Sequence, residues 1–581
     1  MSFFAPKRPA AGLHAGEDLQ ARAAAVRIDG VKMRALETGR TRLVAAATVF
    51  FAAYAVIGLR LLDVSVLDRN HTKPRPAPTA RGEQLDIERA DITDRNGVLL
   101  ATSLPTVSLF ARANEIQNAP EAADKLLTVL PDLDQAEVRD RLSSGKAFIY
   151  LKRNLTPRQQ YDVNALGIPG LYFEKGERRV YPHGNLAAHI VGMTDIDNKG
   201  VAGIEKRFDG SLKANHEPLK LSIDVRMQTV VRNELEKTVA EFSAMGGVGM
   251  VADVRTGEIV AMVSLPDFDP NDPPDPDDAR MFNRASKGVY EMGSTFKLFN
   301  TAAALDFGTS TMNSSYDATG PFHYHDAVIH DAHNEGRWLS VAEVLIHSSN
   351  VGASRMALDL GTANQRAFMG RVGMLKPTTL ELPELGSPQV PNPWREINTI
   401  TIGFGHGIGV TPAHLVSGVA ALINGGEYRP PTLLARDEEI PGDRVAKKKT
   451  SDQMRQLMRM VVTEGTGKYA DVPGYFVGGK TGTAEKAVNG SYKKKAVLSS
   501  FIAAFPSDEP RYCVLIMVDE PQGTKETHGF ITGGWTAAPT VARVIAQIAP
   551  LAGLLPRREP QSPGAKGIVN GSGSREVAAV E

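Results

Sequence analysis

Three short motifs in this chain carry side chains that could perform covalent catalysis together. The first is Ser294-Thr-Phe-Lys297, whose serine and lysine are three residues apart and would share one face of a helix. Serine is a weak nucleophile at neutral pH and needs a base, and a lysine can be that base only when its amine is neutral. The spacing therefore predicts Ser294 as a nucleophile and Lys297 as its general base.

The other two motifs follow in a fixed order. Ser348-Ser349-Asn350 begins 54 residues after Ser294, and Lys480-Thr-Gly-Thr483 begins 132 residues after Ser348. Ser-x-x-Lys alone carries little weight, because the same spacing recurs at Ser143 and Ser491. The ordered set of three is far more specific. Burial and the like charge of Lys480 are both expected to depress the pKa of Lys297.

In this order the motifs resemble the signature of serine β-lactamases and penicillin-binding proteins. The chain resembles a class B penicillin-binding protein, a monofunctional peptidoglycan D,D-transpeptidase, and within that class it resembles the septal type. No acidic motif set of the kind that class A glycan polymerases carry precedes Ser294. The resemblance therefore implies a crosslinking enzyme that depends on a separate glycan polymerase.

Further resemblance lies upstream of the motifs. Residues 89–101 place an Arg-Asn-Gly turn signal between two strand-like runs and resemble the hairpin that opens the family's non-catalytic module, with Ala90 where the family usually has glycine. The surroundings of Arg179 and Glu205 resemble the same module. Arg89, Arg179 and Glu205 are predicted to form a charged network that joins this module to the catalytic domain.

The resemblance implies roles for the second motif and for the backbone. Ser348 would relay a proton between Lys297 and the leaving amine, and Asn350 would bind the substrate's peptide and hold Lys297 in place. The backbone N–H groups of Ser294 and Thr483 would form an oxyanion hole.

The third motif is expected to bind substrate from a strand. Alternation sends Lys480 and Gly482 to one face and Thr481 and Thr483 to the other. Both threonine hydroxyls would face the substrate's terminal carboxylate, Lys480 would add positive charge, and Gly482 would leave room for an extended peptide.

The implied reaction is acyl transfer in two steps. A stem peptide ending in D-alanyl-D-alanine acylates Ser294 and releases D-alanine, and the diaminopimelate amine of a neighbouring stem then forms the crosslink. β-Lactams would mimic the donor and trap the serine. No cofactor and no metal are expected, and the implied partners are a septal glycan polymerase and other divisome membrane proteins.

Several alternatives remain open at this point. Residues 203–209, 480–486 and 489–492 favour the septal over the elongation type of class B enzyme. A carboxypeptidase would hydrolyse the same acyl-enzyme with water. A β-lactamase is disfavoured because no Glu-x-x-Leu-Asn lies between the second and third motifs, and a non-enzymatic β-lactam sensor would need a larger output module.

Composition sets the broad class. The 581 residues are 42% hydrophobic and 23% charged, which is typical of a globular protein of two to four domains. Lys plus Arg and Asp plus Glu both number 66, so the net charge of zero offers no electrostatic footprint for nucleic acid. The single cysteine, Cys513, lies in an apolar run that predicts a buried strand and cannot form an internal disulfide.

One apolar run, 43–59 between Arg42 and Arg60, predicts a single transmembrane helix over 43–62. A cleaved signal peptide is the alternative, but the 42 residues before the run are long for the n-region of a signal peptide. The resemblance orients the helix in the inner membrane, with 1–42 in the cytoplasm and the catalytic domain in the periplasm.

The remaining chain is predicted to contain four parts. A proline-rich stalk over 63–82 leads to a mostly β pedestal over 83–215, a transpeptidase domain over 216–552 and a disordered tail over 553–581. The transpeptidase domain is predicted to be α+β, with a central antiparallel sheet and a helical subdomain. Its strands are predicted over 219–224, 248–253, 258–263, 476–483, 500–505 and 511–518, and its helices over 226–241, 294–305, 341–346, 412–423 and 538–548.

Two other clusters have the composition of metal sites. His323, His325, His330 and His333 crowd one loop, and residues 269–278 are rich in aspartate. The aspartate run lacks the glycine of a calcium loop and is loaded with proline. A structural hairpin is predicted for the first cluster and a solvated loop for the second.

Overall fold

The structure, a computed structural model, describes residues 44–57, 89–436, 438–488 and 491–557, and only the backbone at 487–488 and 491–495. Residues 44–57 form helix α1, whose large apolar side chains are exposed. Among the described residues, no helix is both long and apolar enough to cross a membrane. The predicted tail 1–42 and stalk 63–82 lie outside the described residues, as do parts of the predicted membrane helix and C-terminal tail.

Five strands form an N-terminal sheet in the order β3-β2-β1-β7, with β4 also paired to β2. The Arg-Asn-Gly segment is the turn between β1 and β2, where the Asp94 carboxylate accepts hydrogen bonds from the N–H groups of Asn96 (2.7 Å) and Val98 (2.8 Å). The strands of this region are β1 Ile92–Thr93, β2 Leu99–Ala111, β3 Ile149–Leu155, β4 Leu171–Val180, β5 Met193–Thr194, β6 Gly200–Ala202 and β7 Leu219–Lys220.

Helices cover the N-terminal sheet and close its core, so the pedestal, predicted to be mostly β, is a mixture of helices and strands. The core side chains come from β2, β3 and three helices, and include Leu109, Leu126, Leu142 and Leu151. The helices of this region are α2 Ala119–Val129, α3 Gln135–Ser143, α4 Pro157–Ala165, α5 Ala188–Val191, α6 Gly203–Arg207 and α7 Asp209–Ala214.

A central sheet follows, antiparallel throughout, in the order β16-β17-β18-β8-β9. All residues of β8, β9 and β18 are buried, because helices cover both faces of the sheet. The strands are β8 Gly246–Asp253, β9 Ile259–Leu265, β10 Ser315–Ala318, β11 Phe322–Tyr324, β12 Ala327–Ile329, β13 Arg337–Ser340, β14 Glu427–Tyr428, β15 Asp443–Arg444, β16 Gly478–Val488, β17 Ser491–Phe505 and β18 Tyr512–Asp519.

The central sheet separates two apolar cores. Helices α8 and α16 pack on one face, and α14 packs on the other together with the helical subdomain. The helices are α8 Val225–Glu241, α9 Lys297–Phe307, α10 Val341–Ile346, α11 Asn350–Leu360, α12 Thr362–Arg371, α13 Glu396–Ile402, α14 Pro412–Ile423, α15 Lys448–Glu464 and α16 Ala537–Leu551. Short 3₁₀ turns occupy Ala113–Glu115, Gly184–Ala187, Ala279–Met281, Gly293–Phe296 and Lys468–Ala470.

The predicted mixture of a central antiparallel sheet with helices is present, but the strand predicted over 219–224 is wrong in length and in place. Only Leu219 and Lys220 are strand, and they pair with β1 in the N-terminal sheet. Beyond them, the Ser222 N–H donates to the Leu433 carbonyl (2.8 Å) and the Asp224 N–H to the Val260 carbonyl (2.9 Å). Residues 221–224 thus cross between the sheets, which explains why all four are buried instead of alternating.

The predicted charged network lies entirely within the predicted pedestal. Arg89 Nη2 is 2.5 Å from a Glu205 carboxylate oxygen, Arg89 Nη1 is 2.7 Å from Asp209, and Arg179 Nε is 2.6 Å from Glu205. Contacts from the predicted pedestal to the central-sheet region are made by other residues. They include the Gly203 N–H to Glu384, Gln228 Nε2 to the Leu186 carbonyl, and Arg95 to Glu258.

Candidate active site

Ser294 lies on the tight turn that precedes α9, directly beside the central sheet. The helix predicted over 294–305 is α-helical only from Lys297, because Gly293–Phe296 form a 3₁₀ turn. Gly293 has φ of +54°, and a Cβ at this position would be 2.5 Å from the Thr483 carbonyl oxygen. Glycine therefore lets the backbone before Ser294 touch the edge strand β16, which brings the backbones of residues 293 and 483 together.

Lys297 is fully buried, and its amine is the centre of the site. Its Nζ is 2.9 Å from Ser294 Oγ, 2.6 Å from the Ser348 carbonyl oxygen, 3.1 Å from Ser348 Oγ and 2.7 Å from Asn350 Oδ1. The carbonyl and amide oxygens can only accept, so they take two N–H bonds of the amine. A neutral amine then has its lone pair left for the Ser294 hydroxyl.

The surroundings of Lys297 favour that neutral form. Burial holds the pKa of its amine well below the ordinary lysine value, the charge of Lys480 lowers it further, and the carboxylate of Asp331 opposes both. Desolvation is therefore the main cause, with the like charge second, and the sequence alone could not rank the two.

Ser348 connects the two lysines. Its hydroxyl is 3.1 Å from Lys297 Nζ and 2.9 Å from Lys480 Nζ. The backbone of Ser348 has φ of +57°, a left-handed conformation that residues other than glycine rarely adopt. This conformation lets the carbonyl and the hydroxyl of Ser348 both reach Lys297, so the strain has a geometric reason at the site.

Lys480 is also fully buried, and desolvation lowers its pKa to about 7. Its other contacts are the carbonyl and hydroxyl oxygens of Thr481, both at 3.3 Å. The Thr481 hydroxyl is 3.0 Å from that of Thr466, and Thr483 Oγ1 accepts a hydrogen bond from Gly533 N–H at 3.3 Å. The third motif thus packs against two segments, 465–467 and 530–535.

Gly482 serves the fold in a way that the sequence did not suggest. A Cβ there would be 2.3 Å from Ser500 Oγ, 2.9 Å from the Thr295 methyl carbon and 3.0 Å from the Met292 carbonyl oxygen. The room beside this glycine is therefore filled by the turn that carries Ser294, not by open space. The absence of a side chain at Gly482 keeps strand β16 and the 3₁₀ turn of Ser294 in contact.

The structure thus brings Ser294, Lys297, Ser348, Asn350 and Lys480 into one hydrogen-bonded cluster at the edge of the central sheet, next to Thr481, Gly482 and Thr483. Sequence reasoning missed two residues that support them. Thr466 contacts Thr481, and the Asp331 carboxylate accepts hydrogen bonds from Ser349 Oγ and from two backbone N–H groups. Neither stands at a spacing that marks it in the sequence.

The histidine-rich and aspartate-rich segments form contacts that hold the fold together. His323 lies on the β11–β12 hairpin, as predicted, and in the aspartate-rich loop the Asn271 amide bonds both the N–H (3.0 Å) and the carbonyl (2.9 Å) of Tyr181. In the part of the chain that the structure describes, no group of three or more His, Cys, Asp or Glu residues could hold a metal ion.

Comparisons with known proteins show the family to which the chain belongs. The family model of the penicillin-binding protein transpeptidase domain matches residues 247–544, and that of the penicillin-binding protein dimerisation domain matches residues 85–240. The chain is 41% identical over 487 residues to a Caulobacter vibrioides protein named "Probable peptidoglycan D,D-transpeptidase FtsI", covering 81% of this chain and 82% of that one. It is 31% identical over 506 residues to Escherichia coli FtsI, named a peptidoglycan D,D-transpeptidase, covering 81% and 84%.

Solved structures share the fold. Penicillin-binding protein 3 of Mycobacterium tuberculosis, complexed with aztreonam, superposes with a TM-score of 0.64 at 23% identity, covering 81% of this chain and 98% of that one. A peptidoglycan synthetase of Bifidobacterium adolescentis superposes with a TM-score of 0.66 at 24% identity, covering 82% and 97%. The chain therefore belongs to the penicillin-binding proteins, with a dimerisation domain followed by a transpeptidase domain, and its similarity to FtsI proteins places it among the FtsI-type members.

Proposed function

We propose that this protein is a peptidoglycan D,D-transpeptidase that crosslinks stem peptides through an acyl-enzyme on Ser294. The observation that carries the proposal is the contact of 2.9 Å between Ser294 Oγ and the buried Lys297 amine. An amine whose pKa is lowered by burial can accept a proton from serine, which an ordinary surface lysine cannot do at neutral pH. The similarity to FtsI proteins supports the same reaction.

In the first step Ser294 Oγ attacks the carbonyl carbon of the penultimate D-alanine of the donor stem. Its proton moves to Lys297, and the carbonyl oxygen becomes an oxyanion that the N–H groups of Ser294 and Thr483 stabilise. The proton then passes through the Ser348 hydroxyl to the nitrogen of the terminal D-alanine. The carbon–nitrogen bond breaks, D-alanine leaves, and the donor stem remains as an ester on Ser294.

The second step reverses this path with a new amine. The diaminopimelate amine of an acceptor stem attacks the ester and passes its proton through Ser348, and Ser294 leaves as a hydroxyl. Asn350 holds Lys297 through its amide oxygen (2.7 Å) and binds the donor's peptide group. Water in place of the amine would make the enzyme a carboxypeptidase.

The third motif binds the donor stem peptide. The terminal carboxylate binds near Lys480, whose charge attracts it, and the hydroxyls of Thr481 and Thr483 donate to it. β-Lactams carry a comparable carboxylate and acylate the same serine, which makes them covalent inhibitors.

The proposal extends to the place of action. The apolar run that includes α1 is a single-pass inner-membrane anchor over 43–62, with 1–42 in the cytoplasm and 63–82 as a stalk. A pedestal over 83–215, the transpeptidase domain over 216–552 and a tail over 553–581 lie in the periplasm. Similarity to FtsI favours action at the division septum, with a glycan polymerase and other divisome membrane proteins as partners.

The direct test is labelling of the full-length protein in membranes with a fluorescent penicillin, followed over time. Stable labelling that disappears in Ser294→Ala and persists in Ser143→Ala supports a slowly deacylating transpeptidase site, since Ser143 is at the end of α3, outside the cluster. Rapid decay of the label indicates a hydrolase instead, and unlabelled wild-type protein contradicts the proposal.

The septal role has its own test in cells. A strain carrying only Ser294→Ala is expected to place the protein in the membrane at normal abundance yet fail to divide, because the substitution removes a hydroxyl and no packing atoms of the core. A normal septum in that strain would rule out the septal role.

A further inference from the structure

Asp331 lies in the loop after β12, outside all three motifs, and holds the start of α11. Its Oδ2 accepts a hydrogen bond from Ser349 Oγ at 2.6 Å. Its Oδ1 accepts hydrogen bonds from the N–H groups of Asn350 and of Val351, the latter at 2.9 Å. One carboxylate thus binds three donors in the second motif and directly after it.

These bonds complete the cap of the helix. Ser349 is the N-cap residue, and its hydroxyl accepts from the Gly352 N–H at 2.9 Å while donating to Asp331. The first three N–H groups of α11 therefore all have partners. A carboxylate at the positive end of a helix dipole is also electrostatically favourable. Both the hydrogen bonds and the charge of Asp331 therefore stabilise the start of α11.

The cap determines the position of the groups around the general base. Three of the four contacts of Lys297 Nζ come from Ser348 and Asn350, the residues on either side of the N-cap. The neighbouring His330 carbonyl accepts from Asn350 Nδ2 at 3.2 Å, which turns the amide oxygen toward Lys297. The loop residues 330 and 331 thereby orient both halves of the second motif.

We infer that Asp331 is a positioning residue for acylation, which holds Ser348 and Asn350 against Lys297 by capping α11 and contributes a negative charge to the field at that amine. The inference rests on the proposed function of Ser294. It goes beyond the three motifs, because Asp331 acts through residues of the second motif and not on the substrate.

The charge of Asp331 gives this role a signature that simple loss of structure would not have. Two charged groups act on Lys297: Lys480 lowers the pKa of its amine, and Asp331 raises it. Replacing the carboxylate with an amide leaves an oxygen for the backbone N–H groups but removes the charge. Lys297 in Asp331→Asn should then stay neutral to lower pH, and the acid limb of the acylation rate should move to lower pH.

The experiment measures the second-order rate of penicillin acylation against pH, together with thermal unfolding, for the full-length protein and three variants. Asp331→Ala is expected to slow acylation about 10- to 100-fold at neutral pH, because the base and relay lose their alignment. Asp331→Asn is expected to lose less and to show the shifted acid limb. Glu343→Gln is the matched control, since Glu343 caps the preceding helix α10 through Ser340 without touching the second motif.

Each outcome separates the inference from the function it rests on. Normal acylation of wild type with unchanged rate and pH profile in both Asp331 variants overturns the inference and leaves the transpeptidase proposal standing. Losses in Asp331→Ala and Glu343→Gln that only follow the folded fraction also overturn it. Absence of acylation in wild type contradicts the proposed function itself. If Asp331→Ala does not fold, the pH profile of Asp331→Asn decides.

Discussion

The N-terminal region and the active site both contain buried cations, but the partners of those cations differ. Arg89 in the N-terminal region is 0% exposed and pairs with the carboxylates of Glu205 and Asp209. Lys297 and Lys480 at the active site are also 0% exposed, but among the described residues their hydrogen-bond partners are neutral oxygens. All three cations are inaccessible to solvent, but carboxylates bind the Arg89 guanidinium whereas neutral oxygens bind the two lysine amines.

The pKa values follow that difference. Burial alone would lower the pKa of Arg89, but the two carboxylates outweigh it and the net shift is upward. Without a carboxylate partner, burial lowers the pKa of both lysines. A paired buried cation is thus a fixed structural charge, whereas an unpaired one is able to give up its proton. The second condition is what a catalytic base requires.

The largest effect is expected where the unpaired cation is removed. Lys297→Met should reduce the acylation rate constant by about 10²–10⁴-fold, because Ser294 loses its base while the packing of α9 remains. The rate of fluorescent penicillin labelling, measured beside the thermal unfolding curve, checks this. A folded variant that labels within tenfold of wild type would show that the base is another group.

The paired cation should instead affect stability. Arg89→Met leaves the buried carboxylate of Glu205 with one fewer partner and should lower the free energy of unfolding by about 3–5 kcal/mol. Denaturant unfolding measures the change, with Arg139→Met as the control. Arg139 pairs with Asp124 at 2.6 Å on the exposed surface, where such a pair contributes about 0–1 kcal/mol. Equal losses in the two variants would contradict the contrast between buried and exposed pairs.

The smallest effect concerns the pH range over which Lys480 keeps its charge. With a pKa of about 7, Lys480 should lose its proton and its attraction for a carboxylate as the pH rises above that value. The second-order acylation rate should then fall about tenfold, the equivalent of one hydrogen bond to a charged group. Lys480→Arg keeps its charge and should move this alkaline limb upward. An alkaline limb that does not move would assign it to a different group.

The same pKa predicts how stability depends on pH. Between about pH 7 and the ordinary lysine value, the unfolded chain binds a proton at residue 480 that the native state does not. Stability should therefore rise with pH across this window, and Lys480→Met should remove that part of the rise.

Local capping explains which helices could be predicted closely. The bounds predicted for α10 and α14 match the structure because each begins at a capping box, formed by Ser340 with Glu343 and by Thr411 with His414. Both signals lie within four residues of sequence. Strand pairing is different, since alternation does not say which sheet a strand joins. The strand that is predicted at the start of the transpeptidase domain pairs instead with β1 in the N-terminal sheet.

The same distinction applies to the site. Ser294, Lys297 and the other motif residues could be named from short spacings and a family resemblance. Asp331 and Thr466 could not, because their contacts join segments 18 and 15 residues apart that only the folded loops bring together. The reason for Gly482 was also hidden, since it depends on the close approach of a turn almost two hundred residues upstream.

The parallel pairing of β1 with β7 has a mechanical consequence. The Leu219 N–H donates to the Asp91 carbonyl and the Leu221 N–H to the Thr93 carbonyl, both at 2.8 Å, just before the chain enters the central-sheet region. A pull on the chain ahead of β1, resisted by the domain that follows β7, draws two parallel strands past each other in opposite directions. That is shear, which loads all bonds of the pair at once instead of peeling them one by one. Tension along the chain at this junction would therefore load both hydrogen bonds of this short ladder together.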